Sequence, residues 1–327
     1  MHYLGSKAKL LPFICTTIRD VVGENLHQKV FCDLFAGSGV VSVAYKEKVG
    51  SLILNDMEYY SYVLLCNILR TKPLNGLDEA MEILFTCKGI QGMVFNHYAL
   101  GGGEGRNYFS DENAQKIDAL RLAIETYAPD EVLYFCLLAS LLESAHSVSN
   151  TASIYGAFLK HLKPLAQKTL EFKPLVYTQV HIPTQVYCED ANRLIEHIEG
   201  DILYLDPPYN HRQYGANYHL LNTIARYDGV VPKGKTGVSG YVSSRYCKAK
   251  TALDALEELV RKAQFSTFFL SYNNEGLIPQ EAIALMMKKY GRYELFSHEH
   301  PRFKAHAHHG KNPKTIEFLH VLEKREV

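Results

Sequence analysis

Lys29-Val30-Phe31-Cys32-Asp33-Leu34-Phe35-Ala36-Gly37-Ser38-Gly39, KVFCDLFAGSG, is the stretch on which the reading of this 327-residue chain turns. Lys29 to Phe35 reads as a short buried strand, Ala36 to Gly39 as a tight turn and Val40 to Lys48 as the start of a helix. A second strand, Ser51-Leu52-Ile53-Leu54-Asn55, ends on Asp56, and an apolar helix follows from Tyr60 to Arg70. Strands and helices alternating in this way build a doubly wound parallel sheet, so the expected class is α/β and Rossmann-like.

After Lys72-Pro73-Leu74-Asn75-Gly76 the rhythm changes. From Leu77 to Pro174 the pattern is helical, broken by the glycine-rich loop Gly101-Gly102-Gly103-Glu104-Gly105-Arg106, which makes residues 75–174 an inserted, mainly helical subdomain within a sheet domain of residues 1–74 and 175–327. Ser110 is placed to cap a helix over Asp111 to Tyr127, whose Ile117, Leu120 and Ile124 recur at helical spacing, and Glu131 to His146 is a second, strongly apolar helix. Strand patterns resume at Gln179 to Ile182 and Thr184 to Cys188, then at Ile202 to Leu205, Ser266 to Tyr272 and Thr315 to Leu322, with a helix over Pro279 to Tyr290.

Hydrophobic residues make up 47% of the chain, ample for a sizeable core, and no apolar stretch reaches transmembrane length. Seven scattered cysteines without paired CxxC spacing point to reduced thiols, a cytoplasmic setting and no structural zinc. The formal net charge is zero, so composition does not announce a nucleic-acid partner, yet charge is unevenly placed. Between Gly229 and Leu253 stand Lys233, Lys235, Arg245, Lys248 and Lys250 with no acid, and between Arg302 and Lys314 stand Arg302, Lys304, Lys311 and Lys314, again with none. Such patches either neutralise phosphates or are ordinary solvated loops. His298, His300, His306, His308 and His309 lie among basic residues with no repeated carboxylate-histidine spacing, which favours phosphate-facing or solvated histidines over a metal site.

The strand at Ile202 ends unusually, as Ile202-Leu203-Tyr204-Leu205-Asp206-Pro207-Pro208-Tyr209-Asn210. Neither proline donates to a sheet ladder, and each pushes the residue before it toward extended geometry, so the strand stops at Asp206 and the following backbone is stiff. Glycine turns after a first strand serve NAD, FAD, nucleotides and S-adenosylmethionine alike. Asp56, about twenty residues on, stands where an acid accepts hydrogen bonds from ribose hydroxyls, each charged bond worth about 1.5–3 kcal/mol. The third glycine of a dinucleotide fingerprint is Ser42 here, which favours a nucleoside without phosphates.

Taken in order, Tyr3-Leu4-Gly5-Ser6-Lys7, Asp33 to Gly39, Asn55-Asp56, Glu189-Asp190 and Asp206-Pro207-Pro208-Tyr209-Asn210 resemble the motifs of the adenine-N6 DNA methyltransferases, in the group whose recognition insert precedes the DPPY motif. The resemblance covers nearly the whole chain. It implies a class I S-adenosylmethionine-dependent methyltransferase sheet with a target-recognition insert, double-stranded DNA as partner and, in form, a restriction-modification enzyme with a cognate restriction endonuclease. Tyr3 and Lys7 would approach the methionine end of S-adenosylmethionine, Phe35, Ala36, Gly37, Ser38 and Gly39 would form its bed, Asp56 would hold the ribose and Asp190 the adenine amino group. The family's usual aromatic residue after that last acid is replaced by Ala191.

The resemblance also gives the catalytic set: Asp206 and the Pro207 carbonyl as acceptors for an adenine amine, Pro208 as a stiffener and Tyr209 as a stacking face, with Asp206 bordering the cofactor as well. Candidate DNA contacts are Arg106, Asn107, Asn210, Arg212, Tyr214, Lys248 and Lys304, although Asn210 suits a loop cap equally well. Tyr272 either lines the base pocket or packs in the core. Competing functions are a cytosine-N4 or RNA-adenine methyltransferase, a DNA-binding relative without turnover, and an NAD-binding protein.

Overall fold

The computed structural model describes residues 7–152, 154–300 and 315–325. Strands β1 (Val30–Asp33), β2 (Ser51–Asn55), β3 (Thr184–Tyr187), β4 (Glu199–Leu205), β5 (Gln264–Asn273), β6 (Gly291–His300) and β7 (Thr315–Lys324) form one sheet in the order β3-β2-β1-β4-β5-β7-β6. Strands β1 to β5 run parallel, and β7 lies antiparallel between β5 and β6. β1, β2 and the second half of β4 are buried, which is why they read as unbroken apolar runs rather than as alternating ones. This is the expected α/β, Rossmann-like sheet.

The strand order reverses between β1 and β4, and ligands of such sheets bind outside the carboxyl ends of the strands at that point. The register Phe31↔Ile202, Cys32↔Leu203, Asp33↔Tyr204 brings the glycine turn after β1 and Asp206 after β4 out of the same edge. Leu34, Ile53, Leu203 and Leu205 pack with Leu256 and Leu259 of the helix Ala252–Lys262 and with Phe268 and Leu270 of β5.

The chain divides into two compact units. The sheet unit comprises the stretch ending at Met57, Ile182–Gln213 and the chain from Ser243; the helical unit comprises Glu58–His181 and Tyr214–Val242. The helical unit is thus larger than the insert drawn at residues 75–174. Its core takes in Tyr60, Val63 and Leu64 of the helix Tyr59–Ile68 and Leu220, Leu221 and Ile224 of the helix His219–Arg226, together with Ile117, Leu120 and Leu138.

The helix Asp111–Tyr127 has the expected bounds, and Ser110 Oγ accepts from the Asn113 N–H as its cap. Asp118 of that helix is fully buried and accepts from the N–H groups of Gly92, Val94 and Phe95 and from Tyr227 Oη, so one carboxylate closes the start of the helix Met93–Tyr98.

Two readings of the sequence are corrected. Gln179 to Ile182 is not a strand: the Val180 N–H donates to the Arg70 carbonyl instead. β6 was not anticipated, because at the sheet edge its ten residues, GRYELFSHEH, carry charged and polar groups in place of an apolar run.

Candidate active site

The turn after β1 needs left-handed backbone at Gly37 (φ 52°) and Gly39 (φ 71°), conformations glycine adopts without steric penalty. The Gly37 N–H donates to Asp56 Oδ2 at 2.8 Å, so the acid at the end of β2 and the glycine turn hold each other. Phe35, before the turn, packs edge-on against Tyr246 at 5.2 Å, and Tyr246 Oη donates to Asn192 Oδ1. Asp190 caps the short helix Ala191–Leu194, its Oδ1 accepting from the N–H groups of Asn192 and Arg193, and its exposed side chain leaves Oδ2 outside the cap.

Asn55 joins these pieces. Its buried side chain donates to the carbonyls of Leu34 (3.2 Å) and Glu189 (3.1 Å) and accepts from the Glu189 N–H (3.0 Å), while its own carbonyl accepts from the Ala36 N–H. One amide therefore sets the spacing of the glycine turn, Asp56 and the Glu189-Asp190 loop. Asn55→Ala leaves three backbone groups short of a partner and is expected to destabilise the protein by about 3 kcal/mol, at about 1–3 kcal/mol for each unsatisfied buried group. A denaturant midpoint equal to that of the unmodified protein would refute this bracket role.

At the end of β4 the chain runs Asp206-Pro207-Pro208-Tyr209 with every peptide bond trans. Lys7 Nζ lies 2.7 Å from Asp206 Oδ1, with side chains only 7% and 18% exposed, so solvent screens the pair little. Burial alone would lower the Lys7 ammonium, but the charge and hydrogen bond of Asp206 outweigh it and hold it above its ordinary value. Burial lifts the Asp206 carboxyl above the usual aspartate range, and Lys7 opposes that rise. Lys7 Nζ also stands 5.9 Å from the centroid of the Tyr209 ring. The Tyr209 carbonyl accepts from the Leu277 N–H, and its ring meets Tyr272 edge-on at 6.3 Å. Tyr272 itself is a core residue, 2% exposed, with Oη accepting from the Ile278 N–H.

A third carboxylate lies behind the turn. Asp33 is buried and accepts from Ser42 Oγ at 2.6 Å; burial first, then the negative charges of Asp206 and Asp56, push its carboxyl up to about 7. Asp33 therefore feels both Asp56 and Asp206, and the Lys7 ammonium is tied to Asp206. With Asp206 paired to Lys7, it is the Asp56 carboxylate that leaves negative charge beside the left-handed glycine turn, which suits a cationic nucleoside better than a pyrophosphate.

The candidate DNA residues fare differently. Arg106 and Asn107 are 5% and 4% exposed and belong to the helical unit. Arg106 donates to the carbonyls of His97 and Gly234 and pairs with Glu104, and Asn107 donates to the carbonyls of Leu159 and Lys160. Their donors are engaged inside the protein, which corrects the reading of these two residues as groove contacts. Asn210 Oδ1 accepts from the Arg212 N–H, the loop-capping alternative, while Arg212 and Lys248 are exposed. Tyr214 stacks on Tyr218 at 6.2 Å. Tyr3 and Lys304 lie outside the described residues, as do His306, His308 and His309; His298 stacks on Phe13. Asn55, Asp33 and Ser42 were absent from the candidate set, and only the adjacency of Asn55 to Asp56 in the motif could have signalled the first. No helix among the described residues is long and apolar enough to cross a membrane.

The sequence profile of the D12 class N6 adenine-specific DNA methyltransferases matches residues 3–283. The chain is 49% identical to the type II methyltransferase M.NlaIII of Neisseria lactamica, over 99% of each chain. It is 37% identical to the type II methyltransferase M.CviAII of Paramecium bursaria Chlorella virus 1, over 93% of this chain and 92% of that one. It is also 35% identical to the type II methyltransferase M.FokI of Planomicrobium okeanokoites, over 99% of this chain but 53% of the relative.

Proposed function

The chain belongs to the D12 class N6 adenine-specific DNA methyltransferases, and we propose that it is a site-specific enzyme that methylates N6 of an adenine extruded from duplex DNA, using S-adenosylmethionine. The observation that carries this reading is the trans Asp206-Pro207-Pro208-Tyr209 loop at the carboxyl end of β4, with Asp206 paired to a buried lysine that opposes its protonation. The Asp56 carboxylate beside the glycine turn fits a cationic nucleoside, which when bound would supply the methyl group.

An exocyclic adenine amine is a poor nucleophile because its lone pair is delocalised into the ring. Two acceptors aimed at its N–H groups favour the form in which that pair localises on nitrogen. The Asp206 carboxylate takes one N–H and the Pro207 carbonyl the other, and the stiff proline pair keeps both in place before reaction. Asp206 then stabilises the positive charge that appears on nitrogen. Tyr209 gives the extruded base a stacking face worth about 1–3 kcal/mol, which offsets part of the few kcal/mol that extrusion costs. Asp56 would hold the ribose, Asp190 the adenine amino group and Lys7 the methionine end, where Tyr3, outside the described residues, would join it.

The helical unit, with residues 75–174 at its centre, serves target recognition. The type II names of the relatives support a restriction-modification role with a cognate endonuclease. The family and the Asp206 carboxylate place cytosine-N4 and RNA-adenine methylation, loss of turnover and NAD binding behind this reading.

The enzyme is tested by incubating it with tritiated S-adenosylmethionine and mixed-sequence duplex DNA, then digesting to nucleosides. Label is expected in N6-methyladenine; label confined to N4-methylcytosine, or to RNA supplied in parallel, refutes the proposal. The electrostatics give a second expectation. Activity needs the Asp206 carboxylate, whose raised pKa means it gains its proton as pH falls, at a pH above that of an ordinary aspartate. The acid limb of kcat/KM is therefore expected above the aspartate range, and Lys7→Met, which removes the opposing cation, is expected to move it higher. A limb unmoved in Lys7→Met contradicts the pairing.

A further inference from the structure

The segment Gly229–Val242 of the helical unit lacks regular secondary structure and has left-handed glycines at 229, 234 and 237, a composition that ordinarily gives a loose loop. Instead it is pinned from beneath. Lys233 and Val238 exchange both backbone hydrogen bonds as an antiparallel bridge, and Pro232 is buried. Two carbonyls of the turn they close accept from buried side chains of the helical unit, Gly234 from Arg106 Nη2 (3.1 Å) and Gly237 from Tyr98 Oη (2.7 Å), and the Tyr108 hydroxyl shares its one hydrogen between the Tyr155 carbonyl (2.7 Å) and that of Thr236 (3.0 Å). Tyr98 and Tyr108 are fully buried and Arg106 nearly so. The fit is close at Gly237, where an added Cβ would lie 2.7 Å from Arg106 Cδ and 2.8 Å from Tyr98 Cε1.

The outward side of this turn is basic. Lys233 and Lys235 are exposed on it, and no acid occurs from Gly229 to Leu253. Glu104 pairs with Arg106 beneath the turn, and neither lysine has an ion-pair partner among the described residues. Burying a guanidinium is costly unless it is hydrogen-bonded, and here one of its bonds, to the Gly234 carbonyl, helps to hold a solvent-facing loop in one shape. A loop whose backbone is fixed in this way presents its charges at a reduced ordering cost when a polyanion binds.

We infer that the turn 232–240 is a preformed docking element for the DNA sugar-phosphate backbone, with Lys233 and Lys235 each facing a phosphate and Tyr98, Arg106 and Tyr108 as positioning residues under it. This rests on the proposed DNA methyltransferase function and adds to it a binding element outside the motifs. Arg106, read from sequence as a groove contact, is thereby assigned to the loop's support.

The test is the salt dependence of binding to duplex plasmid fragments, measured by anisotropy between 50 and 200 mM salt, beside steady-state methylation. Each lost phosphate contact should reduce the slope of log affinity against log salt by about 0.9. Lys233→Ala/Lys235→Ala should therefore lose about 1.8 from the slope and roughly 10- to 100-fold in affinity near 0.1 M salt, with KM for DNA rising and KM for S-adenosylmethionine unchanged. Lys233→Arg/Lys235→Arg should restore the slope. Tyr98→Phe/Tyr108→Phe removes only two hydroxyls and should raise KM for DNA severalfold while leaving the slope and kcat in place. An unchanged slope in the alanine pair overturns the phosphate contacts, and an unchanged KM in the phenylalanine pair overturns the clamp. Failure of the unmodified enzyme to methylate adenine would count against the proposed function instead, and would be visible in the same assay.

Discussion

Asp206→Ala is expected to reduce methyl transfer by about 10³-fold, the loss that follows removal of one preorganised electrostatic group at a reacting atom. Two consequences of the geometry combine in that figure. The carboxylate that accepts the adenine N–H and stabilises the developing positive charge is gone, and the Lys7 ammonium, 2.7 Å from Asp206 in the intact protein, is left facing the base alone. A positive charge beside a nitrogen that is itself becoming positive raises the barrier further. DNA binding should largely survive, because the phosphate contacts proposed for the helical unit do not involve this loop. Asp206→Asn retains one acceptor oxygen and should fall between the alanine variant and the unmodified enzyme. Single-turnover methylation with both substrates saturating measures the effect, and transfer by Asp206→Ala at an unchanged rate would refute the role.

Asp118→Ala is expected to produce the largest loss of stability, about 3–5 kcal/mol. Its carboxylate is fully buried and takes three backbone N–H groups, at 3.0, 2.8 and 2.8 Å, and the Tyr227 hydroxyl at 2.6 Å. Each donor left without an acceptor costs about 1–3 kcal/mol, and partial relaxation toward water keeps the total below a simple sum. Asp118→Asn replaces one acceptor oxygen by an amide that faces N–H groups, so it should recover little. Urea unfolding followed by far-ultraviolet circular dichroism reads the change. A midpoint shift equivalent to less than about 1 kcal/mol would show that the three N–H groups find other partners.

The sheet was legible because its central strands are buried on both faces and so read as continuous apolar runs: Phe31 to Asp33, Leu52 to Asn55 and Ile202 to Leu205 all lie where their composition places them. The loops Asp33 to Gly39 and Asp206 to Tyr209 were legible because glycine and proline carry strong local geometry. β6 was hidden by its position, since an edge strand with alternating charge carries no buried run. Arg106 was misread for a related reason: an arginine beside glycines looks solvent-facing in sequence, while one of the carbonyls that hold it is more than a hundred residues away, at Gly234. Asn55 belongs with it, because a bracket between three loops exists only once the sheet has brought Leu34 and Glu189 to its amide.

In the proposed reaction Asp206 and the Pro207 carbonyl each accept one N–H of the target adenine. Proton NMR of a duplex carrying ¹⁵N at the N6 position of the unmethylated target adenine, bound to the enzyme with S-adenosylhomocysteine in place of the methyl donor, observes those two protons directly. Both amino resonances are expected downfield of their positions in the free, unpaired nucleoside, and Asp206→Ala should return one of them. Two amino protons at free-nucleoside positions in the bound complex, or a spectrum indifferent to Asp206→Ala, would contradict the claim.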